Sequence, residues 1–345
     1  MRAPSMRTVG LPLAVAALAA LVVLSFLVGR YPVPPMTVLA VLLSRVVPVT
    51  PFWPPETAAV VLMIRLPRIA AAVAVGAALS SSGAAFQGIF RNPMVSPDIL
   101  GVAAGAAFGA ALAILWGAGA IAIQAAAFGG GLVAVGATAV IAWWQSGPRR
   151  QGGDGALLMI LAGIIVGTVF SALVSMVKVA ADPTNTLPAI TFWLMGGLAA
   201  VTAHDLWVAA VPMAGGLAVL SMLRWRLNIL SFGDDEARAL GVDVTRTRLA
   251  VIVAATVMTA AAVAIAGVIG LVGLVVPHLG RMVVGPNYKI LFPTCTLMGA
   301  GFLLAVDDLA RTLFAGEIPL GILTSLLGAP VFLLLLVKTG KGWTR

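Results

Sequence analysis

Charged side chains are scarce in this chain of 345 residues. Lys, Arg, Asp and Glu together account for 10% of it, and only 12 residues are acidic, whereas 61% are hydrophobic. A soluble domain usually carries about 25% charged residues. The composition, with a mean hydropathy of +1.09, therefore excludes an ordinary soluble globular protein and predicts an all-α polytopic membrane protein.

The residues of most metal sites and phosphate-binding sites are also missing. The one cysteine, Cys295, lies in an apolar run and predicts a buried, inert thiol. The two histidines, His204 and His278, lie far apart in the sequence and lack Cys, Glu or His neighbours at ligand spacing. No Gly-x-x-x-x-Gly-Lys-Ser/Thr loop is present. We expect no catalytic residue, no metal site and no ATP hydrolysis by this chain.

Apolar runs of membrane-spanning length are abundant. A helix needs about 20 residues to cross a hydrocarbon core of roughly 30 Å. We predict a single transmembrane domain over residues 1–345 with ten spans, near residues 9–28, 69–90, 98–116, 121–144, 156–178, 205–223, 247–267, 268–284, 289–311 and 318–338. Because this number is even, both termini are predicted on the same side of the membrane.

The distribution of basic residues indicates the orientation. With the N-terminus inside, most of the 21 Lys and Arg residues fall in the short inner gaps, as the positive-inside rule requires. Both termini are therefore predicted to be cytoplasmic. The net charge of +9 comes from these dispersed residues, without a basic run, so we expect lipid contact and no nucleic-acid partner.

The second predicted span is the most informative one. Arg65 and Arg68 precede it on the outer side, and the proline-broken turn Asn92-Pro93-Met94 follows on the inner side. Within the span, small residues recur every four positions, at Gly76, Ser80, Ala84 and Gly88. Small residues allow a neighbouring backbone to approach closely.

The Gly and Ala pattern of this span recurs in residues 258–278. On the predicted topology the two spans run in opposite directions, which indicates an inverted repeat.

Two segments between spans predict short helices at the membrane surface. Residues 30–57, rich in proline, predict an outer loop with an interfacial helix in the apolar run 36–47. Residues 228–244 predict a cytoplasmic helix, capped by Ser231 or Asp234 and ended by Gly241. A plain connector is the alternative for this segment. Docking of a soluble partner is favoured by its mixed charge and by an apolar face formed by Leu230, Ala237, Leu240 and Val242.

Acidic residues near the outer end of the ninth span allow two interpretations. Asp307 and Asp308 could form a proton or cation site inside the membrane. Because Arg311 follows them by one helical turn, an ion pair on one helix face is the simpler prediction.

Several short motifs occur in order along nearly the whole chain: Arg65-Leu-Pro-Arg68, Arg91-Asn92-Pro93, Leu100-Gly101, Trp193-Leu-Met-Gly-Gly197, Pro277-His278 and Pro319-Leu-Gly-Ile322. Together they resemble the FecCD-type permease subunits of ABC importers for iron chelates, haem and vitamin B12. The resemblance implies a homodimer of ten-helix subunits in the bacterial inner membrane, with the translocation path at the dimer interface. It further implies two cytoplasmic ATPase subunits, which bind ATP and Mg, and a periplasmic binding protein that delivers the cargo.

The resemblance also assigns roles to individual residues. It implies that the binding protein docks on exposed guanidinium groups, which bind carboxylates in a bidentate fork, at Arg65, Arg68 and Arg311. The cytoplasmic constriction of the path is implied at Asn92, Pro93 and Met94, with a loose match to its opposite side at 151–157. The ATPase coupling surface is implied at Gly233, Asp234, Asp235, Glu236, Ala237, Arg238, Leu240 and Gly241.

The implied cargo is a metal chelate, an iron-siderophore or haem first, with cobalamin or molybdate as rivals. The alternative function is a secondary transporter driven by an ion gradient through Asp307, Asp308 or Asp182. A membrane-embedded enzyme is disfavoured, because no nucleophile, base or ligand cluster converges in the sequence.

Overall fold

The computed structural model describes residues 6–146, 154–314 and 316–340. No strand occurs among these residues, which confirms the predicted all-α class. The helices are α1 Met6–Leu27, α2 Pro35–Leu43, α3 Pro55–Ala59, α4 Leu66–Ile89, α5 Val102–Leu115, α6 Ala120–Ser146, α7 Asp154–Ala180, α8 Thr186–Met195, α9 Ala203–Leu230, α10 Asp234–Ala239, α11 Val244–Ala266, α12 Val272–Val284, α13 Tyr288–Thr312 and α14 Leu320–Gly340.

Helices coincide with all ten predicted spans. In the described part of the chain, seven helices are long and apolar enough to cross a membrane. Of the other three spans, those predicted at 98–116 and 268–284 coincide with the shorter helices α5 and α12, of 14 and 13 residues. The span predicted at 318–338 coincides with α14, of which Leu320–Leu334 counts among the shorter apolar helices. Large apolar side chains such as Leu13, Trp143 and Val179 are exposed, as expected of a surface in contact with lipid.

The two short helices begin later than predicted because the backbone is broken in front of them. Between α4 and α5, Arg91 has a φ of 50° and Gly101 a φ of 83°, with a 3₁₀ turn at Pro97–Leu100 between them. Between α11 and α12, Gly267 has a φ of 67° and Leu271 a φ of 65°. A right-handed helix cannot continue through positive φ. Each break therefore leaves non-helical backbone before a short helix.

The helix that contains Arg65 and Arg68 begins earlier than predicted. It starts at Pro55 as α3 and continues through the π-helical turn Val60–Arg65 into α4. Proline is favourable in the first turn of a helix. Pro67 lacks the N–H that would donate within the helix, and the π turn in front of it changes the spacing of the backbone hydrogen bonds there. The non-helical part of the predicted loop is therefore shorter, and its apolar run contains the helix α2, Pro35–Leu43; an interfacial position of α2 stays a prediction.

Helix α4 lies at the centre of the molecule, against α9, α11, α12 and α13. A Cβ on Gly76 would lie 2.2 Å from a backbone oxygen of α13. Ser80 Oγ donates to the Cys295 carbonyl at 2.8 Å, and Tyr288 Oη donates to the Ala84 carbonyl at 2.9 Å. The predicted strip of small residues thus packs against α13, and the expectation that this span packs against protein is confirmed.

The order of the helices matches the predicted inverted repeat. Long α4, short α5 and long α6 are followed later by long α11, short α12 and long α13. Helices α4 and α11 are antiparallel: Ser82 Oγ donates to the Ala255 carbonyl at 3.2 Å, and Arg91, beyond the end of α4, pairs with Asp234, shortly before α11 begins.

We expect Gly83→Ala to destabilise the fold. The added Cβ would lie 1.8 Å from the Gly273 carbonyl oxygen, so α4 and the start of α12 would have to separate, at a cost of about 1–3 kcal/mol. Thermal unfolding in detergent measures this as a lower Tm. The control is Gly136→Ala in α6, where the new Cβ meets nothing within 4 Å and alanine favours the helix. A Gly83→Ala protein as stable as the parent would contradict the close contact.

Candidate functional site

A buried ion-pair network joins α4, α13 and the link to α14 at the end of the molecule that we predict to face outward. Arg68 Nε lies 3.0 Å from both carboxylate oxygens of Asp307, and Arg68 Nη2 lies 2.9 Å from Asp307 Oδ1. Arg68 Nη1 donates to Glu317 Oε1 and Oε2 at 2.9 and 3.0 Å. Two carboxylates thus share one guanidinium through charge-assisted hydrogen bonds.

Two further arginines bind the C-terminal end of α1. Arg65 donates to the carbonyl oxygens of Phe26 and of the loop that follows α1. Arg311 Nη1 donates to the Val28 carbonyl at 3.1 Å, and Arg311 Nη2 donates to the Ser25 carbonyl at 3.0 Å. The last carbonyl groups of a helix lack intrahelical donors, and these guanidinium groups supply them.

The predicted ion pair between Arg311 and the acidic residues of α13 is confirmed. Arg311 Nη2 contacts Asp308 Oδ1, and Arg311 Nε lies 3.6 Å from Asp307 Oδ2. Asp308 Oδ2 also accepts from Ser25 Oγ at 2.6 Å. Asp182, the third carboxylate of the ion-gradient alternative, lies in the exposed turn between α7 and α8. Both acidic residues of α13 therefore have cationic partners.

The expectation that the three arginines are exposed is wrong for this conformation. Arg65 is 3% exposed, Arg68 is 6% exposed and Arg311 is 6% exposed. The carbonyl and carboxylate groups that cover Arg65 and Arg68 come from α1, α13 and the α13–α14 link, which are distant in the sequence. The residues around each arginine therefore do not reveal its burial. Docking of a binding protein at these positions stays a prediction.

Sequence reasoning missed Glu317 as a member of this network. Its side chain is 37% exposed, and it borders a cavity of about 440 Å³ that Arg68 and Trp193 also line. The available signal was that Glu317 is the only acidic residue between α13 and α14, close to the predicted outer side. Glu317 is the accessible partner of an otherwise buried guanidinium.

At the opposite end of α4, Asn92-Pro93-Met94 forms a tight turn. Asn92 Oδ1 accepts from the Met94 backbone amide at 2.9 Å. Arg91 Nη2 lies 3.5 Å from Asp234 Oδ1, and Arg248 Nη2 of α11 lies 2.9 Å from the same oxygen. One carboxylate thus connects the turn to α10 and α11. Of the opposite side predicted at 151–157, residues 151–153 lie outside the described residues.

The segment 228–244 contains a short helix, α10, as predicted. The chain turns at Gly241, with a φ of 77°, as predicted. The predicted cap is wrong: α10 starts after Gly233 without a side-chain cap. The reason is that the Asp234 carboxylate binds two arginines, while Ser231 Oγ donates to the Asn228 carbonyl at 2.6 Å.

The surface of this segment is part apolar and part acidic. Of the apolar face predicted for partner docking, Leu240 is 61% exposed, because α10 ends at Ala239 and the chain turns there. Phe232, Asp235 and Glu236 are also exposed. The other three residues of the predicted apolar face are buried and anchor the segment, namely Leu230, Ala237 and Val242.

Comparison with known proteins identifies similar chains over most of this length. The FecCD transport family matches residues 17–338. The molybdate import permease MolB of Haemophilus influenzae is 42% identical, over 82% of this chain and 82% of its own length. The cobalamin import permease BtuC of Halobacterium salinarum is 44% identical, over 83% of this chain and 75% of its own length. The hemin transport permease HmuU of Yersinia pestis is 39% identical, over 80% of this chain and 83% of its own length.

A solved structure has the same fold. It is described as an ABC transporter of the metal-chelate type in an inward-facing conformation, and it aligns with a TM-score of 0.83 at 39% identity. The alignment covers 95% of this chain and 98% of the other, so both polar ends described above fall within a shared architecture.

We expect Asp307→Asn to destabilise the protein strongly. It leaves Arg68 buried without its bidentate partner, and breaking a buried ion pair costs about 3–5 kcal/mol. The matched control is Glu317→Gln, which removes the partly exposed partner of the same arginine and should cost less. Scanning fluorimetry in detergent compares the two Tm values. Equal losses would contradict the distinction between a buried partner and an accessible one.

Proposed function

Because the chain belongs to the FecCD transport family, as the permease subunit of an ABC importer, we propose that it works as a homodimer in the bacterial inner membrane with both termini in the cytoplasm. The cargo is a metal chelate, an iron-siderophore or haem first, handed over by a periplasmic binding protein. Two copies of a separate ATPase hydrolyse ATP with Mg, and the permease chain binds no cofactor. The observation that carries this proposal is the link from α10 through Asp234 to the turn at Asn92-Pro93-Met94.

The ATPase docks on the exposed part of the segment 228–244. Phe232 and Leu240 offer apolar contacts, and Asp235 pairs with Arg238 at 2.8 Å on the exposed surface. Ala237 is fully buried, so a push on the helix moves the residues packed beneath it. The coupling surface comprises Gly233, Asp234, Asp235, Glu236, Ala237, Arg238, Leu240 and Gly241.

Asp234 transmits this movement to the gate. It is the first residue of α10, and its carboxylate binds Arg91, the residue directly before the proposed constriction at Asn92, Pro93 and Met94. The same carboxylate binds Arg248 on α11. A shift of α10 therefore pulls on two elements of the path together, as alternating access requires.

The binding protein docks at Arg65, Arg68 and Arg311, with different contributions from each. Arg68 reaches an incoming carboxylate by exchange with Glu317, since Glu317 borders open space. Arg65 and Arg311 hold the end of α1 and the loop after it, which forms part of the docking surface. The burial of Arg65 and Arg311 fits this indirect role, whereas direct contact with the binding protein would require all three arginines to be exposed.

The ion-gradient alternative has less support. It needs a carboxylate that is free to bind a proton or cation, whereas Asp307 and Asp308 are held by Arg68, Arg311 and Ser25. The three relatives described above are named for molybdate, cobalamin and hemin at similar identity, so identity alone does not rank those cargoes.

We expect chelate uptake into proteoliposomes to require ATP, the ATPase subunit and the binding protein together. Phe232→Ala combined with Leu240→Ala should abolish both uptake and co-purification of the ATPase, because both exposed apolar contacts are lost. Radiolabelled iron chelate and gel densitometry give the two readouts.

The matched control for this experiment is Met222→Ala combined with Leu249→Ala. Leu249 is as exposed as Leu240, at 61%, but lies on α11. This control should keep the ATPase. Uptake driven by an ion gradient without the ATPase would overturn the proposed function.

We expect Glu317→Gln to tighten docking of the binding protein. The substitution removes the carboxylate that competes for Arg68, and a roughly tenfold gain in affinity corresponds to about 1.4 kcal/mol. Surface plasmon resonance on permease in nanodiscs measures the Kd.

The control for docking is Glu56→Gln on α3, an exposed carboxylate on the same predicted side. It should leave the Kd unchanged. Weaker binding by Glu317→Gln would contradict the exchange, because it would mean that Glu317 itself contributes to docking.

A further inference from the structure

Buried and accessible residues alternate over 94–98 in the broken segment between α4 and α5. Val95 is 1% exposed, and Pro97 is buried as well. Met94 is 45% exposed, and Ser96 and Asp98 are partly exposed. Ser96 is extended, with φ and ψ of −116° and 163°, so its side chain points away from its buried neighbours, and Asp98 lies in the 3₁₀ turn that follows. Met94, Ser96 and Asp98 are therefore the accessible side chains of residues 94–98.

This segment returns to the interior of the helix bundle. Pro97 lies beside Gly273, where an added Cβ would be 2.9 Å from Pro97 Cδ and 3.0 Å from the Leu79 carbonyl oxygen. Leu79 lies about 15 Å from the inner end of α4 at 1.5 Å per residue. On the other side, Thr138 Oγ1 of α6 donates to the Leu100 carbonyl at 3.0 Å. The residues around Asp98 thus lie at membrane depth.

Asp98 has no partner at this depth among the described residues. No side chain or amide in residues 6–146, 154–314 and 316–340 donates to its carboxylate, and it forms no ion pair there. Arg91, the nearest arginine in the same segment, binds Asp234 instead. An unpaired carboxylate inside the membrane is costly unless it borders a water-filled cavity.

We propose that Asp98 lines the translocation path and gives it a negative potential that disfavours small oxyanions as cargo. This inference rests on the proposed function, in which the turn at Asn92-Pro93-Met94 gates the path. In the homodimer, two copies of Asp98 act on the same cargo. Electrostatic repulsion of a dianion such as molybdate follows from their charge.

The charge can be measured without cargo or ATPase. Met94→Cys places a thiol at an accessible position four residues before Asp98, and the native Cys295 is buried, so the unmodified chain serves as the blank. In inside-out vesicles and mildly alkaline buffer, the rates of modification by cationic and anionic methanethiosulfonate reagents are compared. Adding Asp98→Asn should lower the cation-to-anion rate ratio by about fourfold or more, since two opposite unit charges each feel the lost carboxylate.

Control variants keep the result decisive. Asp98→Glu retains the charge and should retain the ratio, which separates charge from folding. Asp243→Asn removes an exposed carboxylate outside the segment and should leave the ratio unchanged. Asp98→Cys should react with both reagents, whereas Val95→Cys should not.

Two outcomes would overturn the proposal: an unchanged ratio in Asp98→Asn, or an unreactive Asp98→Cys. Because no ATP is involved, failure of ATP-dependent uptake would contradict the importer mechanism while leaving this measurement intact. A lowered ratio accompanied by gradient-driven uptake would support the path carboxylate and reject the importer mechanism.

Discussion

The antiparallel contact between α4 and α13 determines the position of both polar ends of the molecule. Gly76 brings the two backbones so close that a Cβ would lie 2.2 Å from an oxygen of α13. In lipid the hydrophobic effect does not drive helices together, so dispersion contacts and interhelical hydrogen bonds hold them in place. With the helices fixed at this distance, Arg68 meets Asp307 at one end, and Tyr288 meets the Ala84 carbonyl towards the other.

The two backbone breaks place non-helical segments beside this rigid pair of helices. Non-helical backbone is tolerated at membrane depth only where protein or water satisfies it. The segment between α4 and α5 meets that condition partly through Thr138, which donates to the Leu100 carbonyl. Arg91, near the start of this segment, is held by Asp234 from outside the bundle. A fixed helix, a broken segment and a contact that holds this segment from outside the bundle form the physical basis of the proposed gate.

Local patterns in the sequence were sufficient for features whose partners lie nearby or on a regular helix face. The strip at Gly76, Ser80, Ala84 and Gly88 and the pair Asp308 with Arg311 were predicted for this reason. Burial of Arg68 was not, because its partner Glu317 follows it by 249 residues. Hydropathy also located α5 and α12 but not their first residues, since it does not register positive φ at Gly101 and Leu271.

Several of the few acidic residues neutralise arginines inside the structure. Asp307, Asp308 and Glu317 neutralise arginines at one end of α4, and Asp234 does so at the other. These carboxylates hold elements together, because a buried guanidinium without a partner would be unstable. Asp98 contributes to no such contact among the described residues, yet it lies at membrane depth between the two ends. A charge that stabilises no neighbour and is costly to bury is best explained by water or cargo that passes beside it.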